Sequence, residues 1–112
     1  MAERTSQTLA ACPALATAFE LLGKRWTALI LDTVATRPAR FCEIQRAIPG
    51  LSDRLLTERL RELSAHGLVD REPGEGKVVY DLTPLGRRLV PAFNEIRGWA
   101  RQLDAVGSAP GC

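Results

Sequence analysis

Several things are scarce in this sequence of 112 residues, and each scarcity removes a class of function. Its apolar runs are short: Ala28 to Leu31, among the longest, falls far below the roughly 18 residues a membrane span needs. The opening MAERTSQTLAACPA has no apolar signal core, so a cytoplasmic protein with no membrane attachment is expected. The three cysteines, Cys12, Cys42 and Cys112, are too scattered for a disulfide framework or for the paired ligands of a zinc site. The single histidine, His66, has no cysteine or carboxylate at metal-ligand spacing and reads as a C-terminal helix residue. No phosphate loop, nucleophile motif or carboxylate pair is present, so neither an enzyme nor a cofactor or metal site is expected. Charge of one sign is also in short supply. The net charge is +2, so an electrostatic footprint on nucleic acid has to come from where the charges lie, not from their sum.

What is present, 46% hydrophobic and 25% charged residues, makes one small globular domain over about 1–106 and a flexible tail over 107–112. Leu15, Ala18, Phe19 and Leu22 recur at helical spacing after Pro13 and stop at Gly23, which predicts a first helix over about 13–22. After the basic turn GKR, the residues Trp26, Leu29, Ile30 and Val34 predict a second, ended by Arg37-Pro38. Phe41 reads as a single extended residue, and CEIQRAI as a short third helix that Pro49-Gly50 terminates. Ser52 is placed to cap a fourth helix, about 52–66, whose inward stripe is Leu56, Leu60 and Leu63 and whose stop is Gly67.

LVDRE and KVVYDLT, joined by PGEG, then predict a β-hairpin over about 68–83. Thr83 and Pro84 open a last helix, about 84–104, with Leu85, Leu89, Phe93, Ile96, Trp99 and Leu103 along one side and a bend at Pro91. The fold expected is mainly α with a small antiparallel β-hairpin. It is a winged helix-turn-helix whose DNA-reading core spans about 24–83, with dimerisation helices at its two ends.

With the leucine stripe inward, a turn of about 100° per residue puts Arg54, Glu58, Arg61 and Ala65 outward and Thr57 and Glu62 at the flanks. Arginine grips phosphate or reads guanine, and threonine reaches phosphate or a thymine methyl, so this face suits the major groove of double-stranded DNA. Ser52, Arg54, Thr57, Glu58 and Arg61 are the candidate contacts of the helix, with Arg71 and Lys77 on the hairpin and Lys24 and Arg40 outside both. Taken alone, the helix reads better as a solvated surface on which Glu58 and Glu62 pair with Arg54, Arg59 and Arg61. The order helix, turn, helix, hairpin favours DNA. The rival is a winged helix that docks an acidic protein through the same basic face.

CPALATAFELLGKRWTALIL, RFCEIQRAIPGLSDRLLTERLRELSAHGLVDRE and VVYDLTPLGRRLVP together resemble the HxlR-type transcriptional regulators, a branch related to the MarR group of winged helix-turn-helix proteins. The likeness runs from Cys12 to about Trp99. It implies a homodimer that binds operator DNA and regulates transcription. Two features depart from the pattern: the wing PGEGK is shorter than the proline-rich wings common in such regulators, and Cys42 follows Phe41 where the family usually has another residue.

A homodimer is also expected from the residues. A chain this small cannot easily bury Phe93, Ile96, Trp99 and Leu103 against its own short helices, so Leu15, Phe19, Leu89, Phe93, Ile96, Trp99 and Leu103 are assigned to a dimer interface. Such pairing would space two recognition helices about one DNA turn apart, roughly 34 Å. Cys12 stands at the N-cap before Pro13, where free N–H groups and the helix dipole favour a thiolate. The resemblance implies that a cysteine at this place senses an oxidant or an electrophile such as a quinone. Two readings of Cys12 stay open: a reactive thiol, or an inert one packed against the dimer helices. Cys42 is expected in the core, and Cys112 is a resolving partner or incidental. A small ligand in the dimer crevice is a third means of control, by analogy alone.

Overall fold

The computed structural model describes residues 8–74 and 76–107, and its elements follow the expected order. Helix α1 is Pro13–Leu22, α2 is Thr27–Thr36, α3 is Phe41–Ala47 and α4 is Asp53–Ala65. The strands β1, Val69–Gly74, and β2, Lys77–Leu82, form an antiparallel hairpin, and α5, Pro84–Arg87, and α6, Val90–Gly107, complete the described chain. None of these helices is long and apolar enough to cross a membrane.

Side-chain caps set three of the six helix starts among the described residues. Cys12 Sγ accepts the Leu15 N–H at 3.4 Å, with Pro13 supplying the fixed φ of the first turn. Ser52 Oγ accepts the Leu55 N–H at 3.1 Å and so starts α4. At the far end of α4, Gly67 adopts φ 75°, and two bonds, Leu68 N–H to Leu63 O and Gly67 N–H to Ser64 O, close the helix and turn the chain into β1. Thr83 Oγ1 accepts the Gly86 N–H at 3.0 Å and donates to Gly67 O at 2.6 Å, tying the end of the hairpin to the end of α4.

The core lies among α2, α3, α4 and the hairpin. Ile30, Leu31, Val34, Ile44, Leu56 and Leu63 are essentially inaccessible, and Leu60, Val69 and Leu82 close over them. The inward stripe Leu56, Leu60 and Leu63 is therefore the one the spacing predicts.

Five expectations need correction. Phe41 is not extended but the first residue of α3. The extended residues are Ala39, which exchanges two backbone bonds with Tyr80 at 2.9 and 2.7 Å, and Arg40, which caps α3. Trp26 is not on the face of α2 but precedes it at φ 79°. The last helix is not one bent rod: α5 stops at Arg87 and α6 restarts at Val90. Proline lacks an N–H and crowds the carbonyl four residues back, so Pro91 breaks the first helix and fits the opening turn of the second. The hairpin connection is shorter than PGEG, because β1 extends through Gly74 and pairs it with Lys77. Cys42 is half-buried, not a core residue, and Cys112 with the rest of the expected tail beyond Gly107 lies outside the described residues.

Candidate nucleic-acid interface

Between α4 and the hairpin runs an open groove of about 590 Å³. Thr57, Arg61 and Ser64 form its helical wall, Asp70, Arg71 and Tyr80 its strand wall, and Phe41, Leu60 and Val69 its floor. The structure thus brings Thr57, Arg61 and Arg71 together, as a shared binding face requires. Arg54 and Ser52 are exposed and Glu58 half-exposed farther round the same helix, and Lys77 is exposed where β2 begins.

The ion pairs decide which arginines are committed. Glu62 is taken twice, by Lys24 at 3.2 Å and by Arg59 at 3.5 Å. Arg59 turns back along the protein, its Nε donating to the Arg25 carbonyl at 3.1 Å. Among the described residues, no ion pair engages Arg54, Arg61, Arg71 or Lys77. Of the pairs that the solvated-surface reading expects, Arg59 with Glu62 forms, whereas Arg54 and Arg61 pair with neither Glu58 nor Glu62.

Lys24 and Arg40 stand apart from the groove. Lys24 is engaged by Glu62, and Arg40 belongs to a knot of charges at the start of α3. There Glu43 receives both terminal nitrogens of Arg37, at 3.3 and 3.0 Å, and the Arg40 N–H at 2.9 Å. Chiefly through the Arg37 bonds, and then through the Arg40 N–H, the Glu43 carboxyl is held down at about 2. Sequence reasoning missed Ser64 and Tyr80. Ser64 follows Thr57 and Arg61 at helical spacing, and Tyr80 lies across from Arg71 in the hairpin register, so periodicity carried a signal for both.

A second feature is formed by other elements. A mainly apolar cavity of about 380 Å³ opens between α1, α2 and α6, lined by Phe19, Leu22, Ala28, Leu29, Phe93 and Ile96. The Asp32–Arg97 pair, bidentate at 3.2 and 3.0 Å, stands at its edge. Leu15, Phe19, Ile96, Trp99 and Leu103 are each about half exposed, from 46% to 60%. Phe93 differs: at 9% it is buried within its own chain, and Leu89 packs against the core, so neither needs a partner to cover it as the sequence reading expected. Cys12, at the head of α1, is exposed.

Comparison with known proteins fits this arrangement. The chain is 43% identical over 99 residues to the HTH-type transcriptional regulator YodB of Bacillus subtilis (strain 168), covering 86% of this chain and 88% of YodB. It is similar in structure to quinone-bound YodB from B. subtilis, with a TM-score of 0.74 and 42% identity over 82% of this chain and 99% of that one. It is also similar to the redox regulator HypR in its reduced form, with a TM-score of 0.78 and 31% identity over 86% of this chain and 99% of that one. The family model for the HxlR-like helix-turn-helix matches residues 21–106, and the chain belongs to that family of winged helix-turn-helix transcriptional regulators.

Proposed function

We propose that this regulator binds operator DNA as a homodimer, with α4 in the major groove and the β1–β2 hairpin along the backbone. The observation that carries the reading is the division of charge on α4. Glu62 is occupied by Lys24 and Arg59, which leaves Arg54 and Arg61 uncommitted on the outer face, with Arg71 across the groove from Arg61. Two uncommitted guanidinium groups on one helix face can take base edges, while Arg71 and Lys77 take phosphates. The half-exposed apolar residues of α1 and α6 supply the surface for the second subunit.

Control by oxidants or electrophiles at Cys12 belongs to the same reading. Cys12 is exposed, its sulfur caps α1 beside the proposed dimer surface, and one similar structure holds a quinone while another is of a redox regulator. One observation favours a second mode of control: the apolar cavity beside Phe19 and Ile96 has the size and lining to hold a small ligand.

The experiment is a fluorescence-anisotropy titration of the reduced protein on DNA from upstream of its own and neighbouring genes, with a scrambled duplex as control, across salt concentrations. Tighter binding to one native fragment, weakening steeply as salt rises, is the expected outcome. No binding to any duplex at low salt overturns the reading in favour of a protein-docking module.

A further inference from the structure

Four residues, Gly23 to Trp26, join α1 to α2, and three of them touch the helix-turn-helix. Lys24 Nζ meets Glu62 Oε2 at 3.2 Å, and the Arg25 carbonyl accepts Arg59 Nε at 3.1 Å. The Trp26 ring lies where a side chain on Gly50, in the turn between α3 and α4, would meet it at 3.5 Å. The Arg25 guanidinium sits 4.5 Å from the centre of the same ring, and Trp26 holds φ 79°, a region that side-chain-bearing residues rarely adopt. The connector is also pressed against α1. The Gly23 N–H bonds to Phe19 O at 2.9 Å, and a Cβ on Gly23 would stand 2.5 Å from that oxygen. Helix α1 has no fully buried residue, and it is held at this end by the joint and by Leu21 and Leu22, which pack against the core.

At about 100° per residue, Arg59 and Glu62 fall on the flank of α4 opposite Thr57, Arg61 and Ser64. One flank of the helix is tethered to the end of α1, and the other lines the groove. We infer that Lys24 and Arg59 are positioning residues that set the rotation of the recognition helix relative to α1, so that a displacement of α1 is felt at the DNA-reading face. The inference rests on the operator-binding reading and gives Lys24 a role within the protein instead of on phosphate. It also supplies a route from the exposed α1, with Cys12 at its head, to Arg54 and Arg61. That route runs through one carbonyl, one ammonium group and one indole ring.

The test is a double-mutant cycle of Gly23→Ala, which forces the end of α1 to move, and Arg59→Met, which removes the donor but keeps the length. Two readouts are taken: hydrogen–deuterium exchange over residues 51–65, and operator affinity as a function of salt. Each single variant should raise exchange in α4 and lower operator affinity about tenfold, with the double variant no worse than the worse single. The salt slope should stay unchanged, because a positioning residue neutralises no phosphate. Arg59→Lys, which retains a donor, should recover part of the loss. Lys24→Met with Arg59→Met forms a second cycle should Gly23→Ala fail to fold. Additive losses, or unchanged α4 exchange in both single variants, overturn the inference, as does a salt slope reduced by about one in Arg59→Met, which would make Arg59 a phosphate contact. If exchange behaves as expected while the unmodified protein binds no operator, the DNA reading fails and the mechanical coupling of α1 to α4 stands.

Discussion

Two halves of this molecule treat their apolar residues in opposite ways. In the half made of α2, α3, α4 and the hairpin, the helical stripes turn inward, and Ile30, Leu31, Ile44, Leu56 and Leu63 have almost no accessible surface. In the half made of α1 and α6, spacing just as regular leaves Leu15, Phe19, Ile96, Trp99 and Leu103 about half exposed. A helical stripe therefore says that a face is apolar and does not say what covers it. In the first half the chain supplies the cover. In the second half it supplies caps, a tight connector and the Asp32–Arg97 pair, and stops short of closing the surface.

The largest expected effects break or keep that contrast directly. Leu56→Ala should cost about 2–5 kcal/mol of folding stability, read by urea denaturation, because a cavity opens where neighbours cannot collapse. Trp99→Ala removes more atoms yet should leave the packing of α2 to α4 intact. If the exposed Trp99 face carries the proposed dimer, the loss, about 2 kcal/mol or more, should appear in the dimer dissociation constant measured by sedimentation. Equal destabilisation by both with no change in association would mean that Trp99 packs within its own chain's core, as Phe93 does.

Within the closed half, the groove residues sharpen the contrast between uncommitted and committed charge. Arg54→Ala and Arg61→Ala should each weaken operator binding by about 1–3 kcal/mol and relax the sequence preference. Lys77→Ala should weaken every duplex alike and lower the salt slope by about one. If Lys24→Ala lowers that slope equally, its pairing with Glu62 does not persist on DNA.

The closed half was also the more legible in the sequence. The leucines of α4, the caps Ser52 and Thr83 and the stop at Gly67 are local signals with local causes, and each stands where its chemistry demands. Two of the misreadings arose where tertiary contacts overrule local preference. Tyr80 recruits Ala39 into a bridge, which makes the extended segment end at Arg40 and moves Phe41 into α3. Trp26 looked like one more apolar helix position and is instead a left-handed joint against the helix-turn-helix. For the binding face, periodicity gave the outward arginines, but only the ion pairs distinguish Arg61 from Arg59, one turned to the groove and the other spent on Arg25 and Glu62. Phe93 falls in the apolar stripe of α6 like Ile96, and only packing assigns it to the chain's own core.

Whether the open half speaks to the closed one can be asked at Cys12. Serine is a good N-cap, so Cys12→Ser should preserve α1 while removing the thiol. Basal operator affinity should hardly change, and the ratio of affinities with and without a quinone or other oxidant should fall to about one. A full oxidant response in that variant would remove Cys12 from the mechanism.

The smallest effect concerns a polar knot on the surface of the closed half. Glu43 is lowered from an ordinary 4.5 to about 2 by its bonds to Arg37 and the Arg40 N–H, so the folded state favours the ionised carboxylate. A depressed folded value means that the stability from this group is fully present above the unfolded value near 4.5. It is lost as pH falls through the interval down to about 2. Because the carboxylate lies at the surface, the loss should be small and reduced further by salt. Urea midpoints at pH 5 and pH 2.5 should therefore differ more in the unmodified protein than in Glu43→Gln, which cannot gain a proton over that range. An equal pH dependence in the two would mean that the Arg37 bridge is not maintained in solution, and that the start of α3 is held instead by the Ala39–Tyr80 bridge beside it.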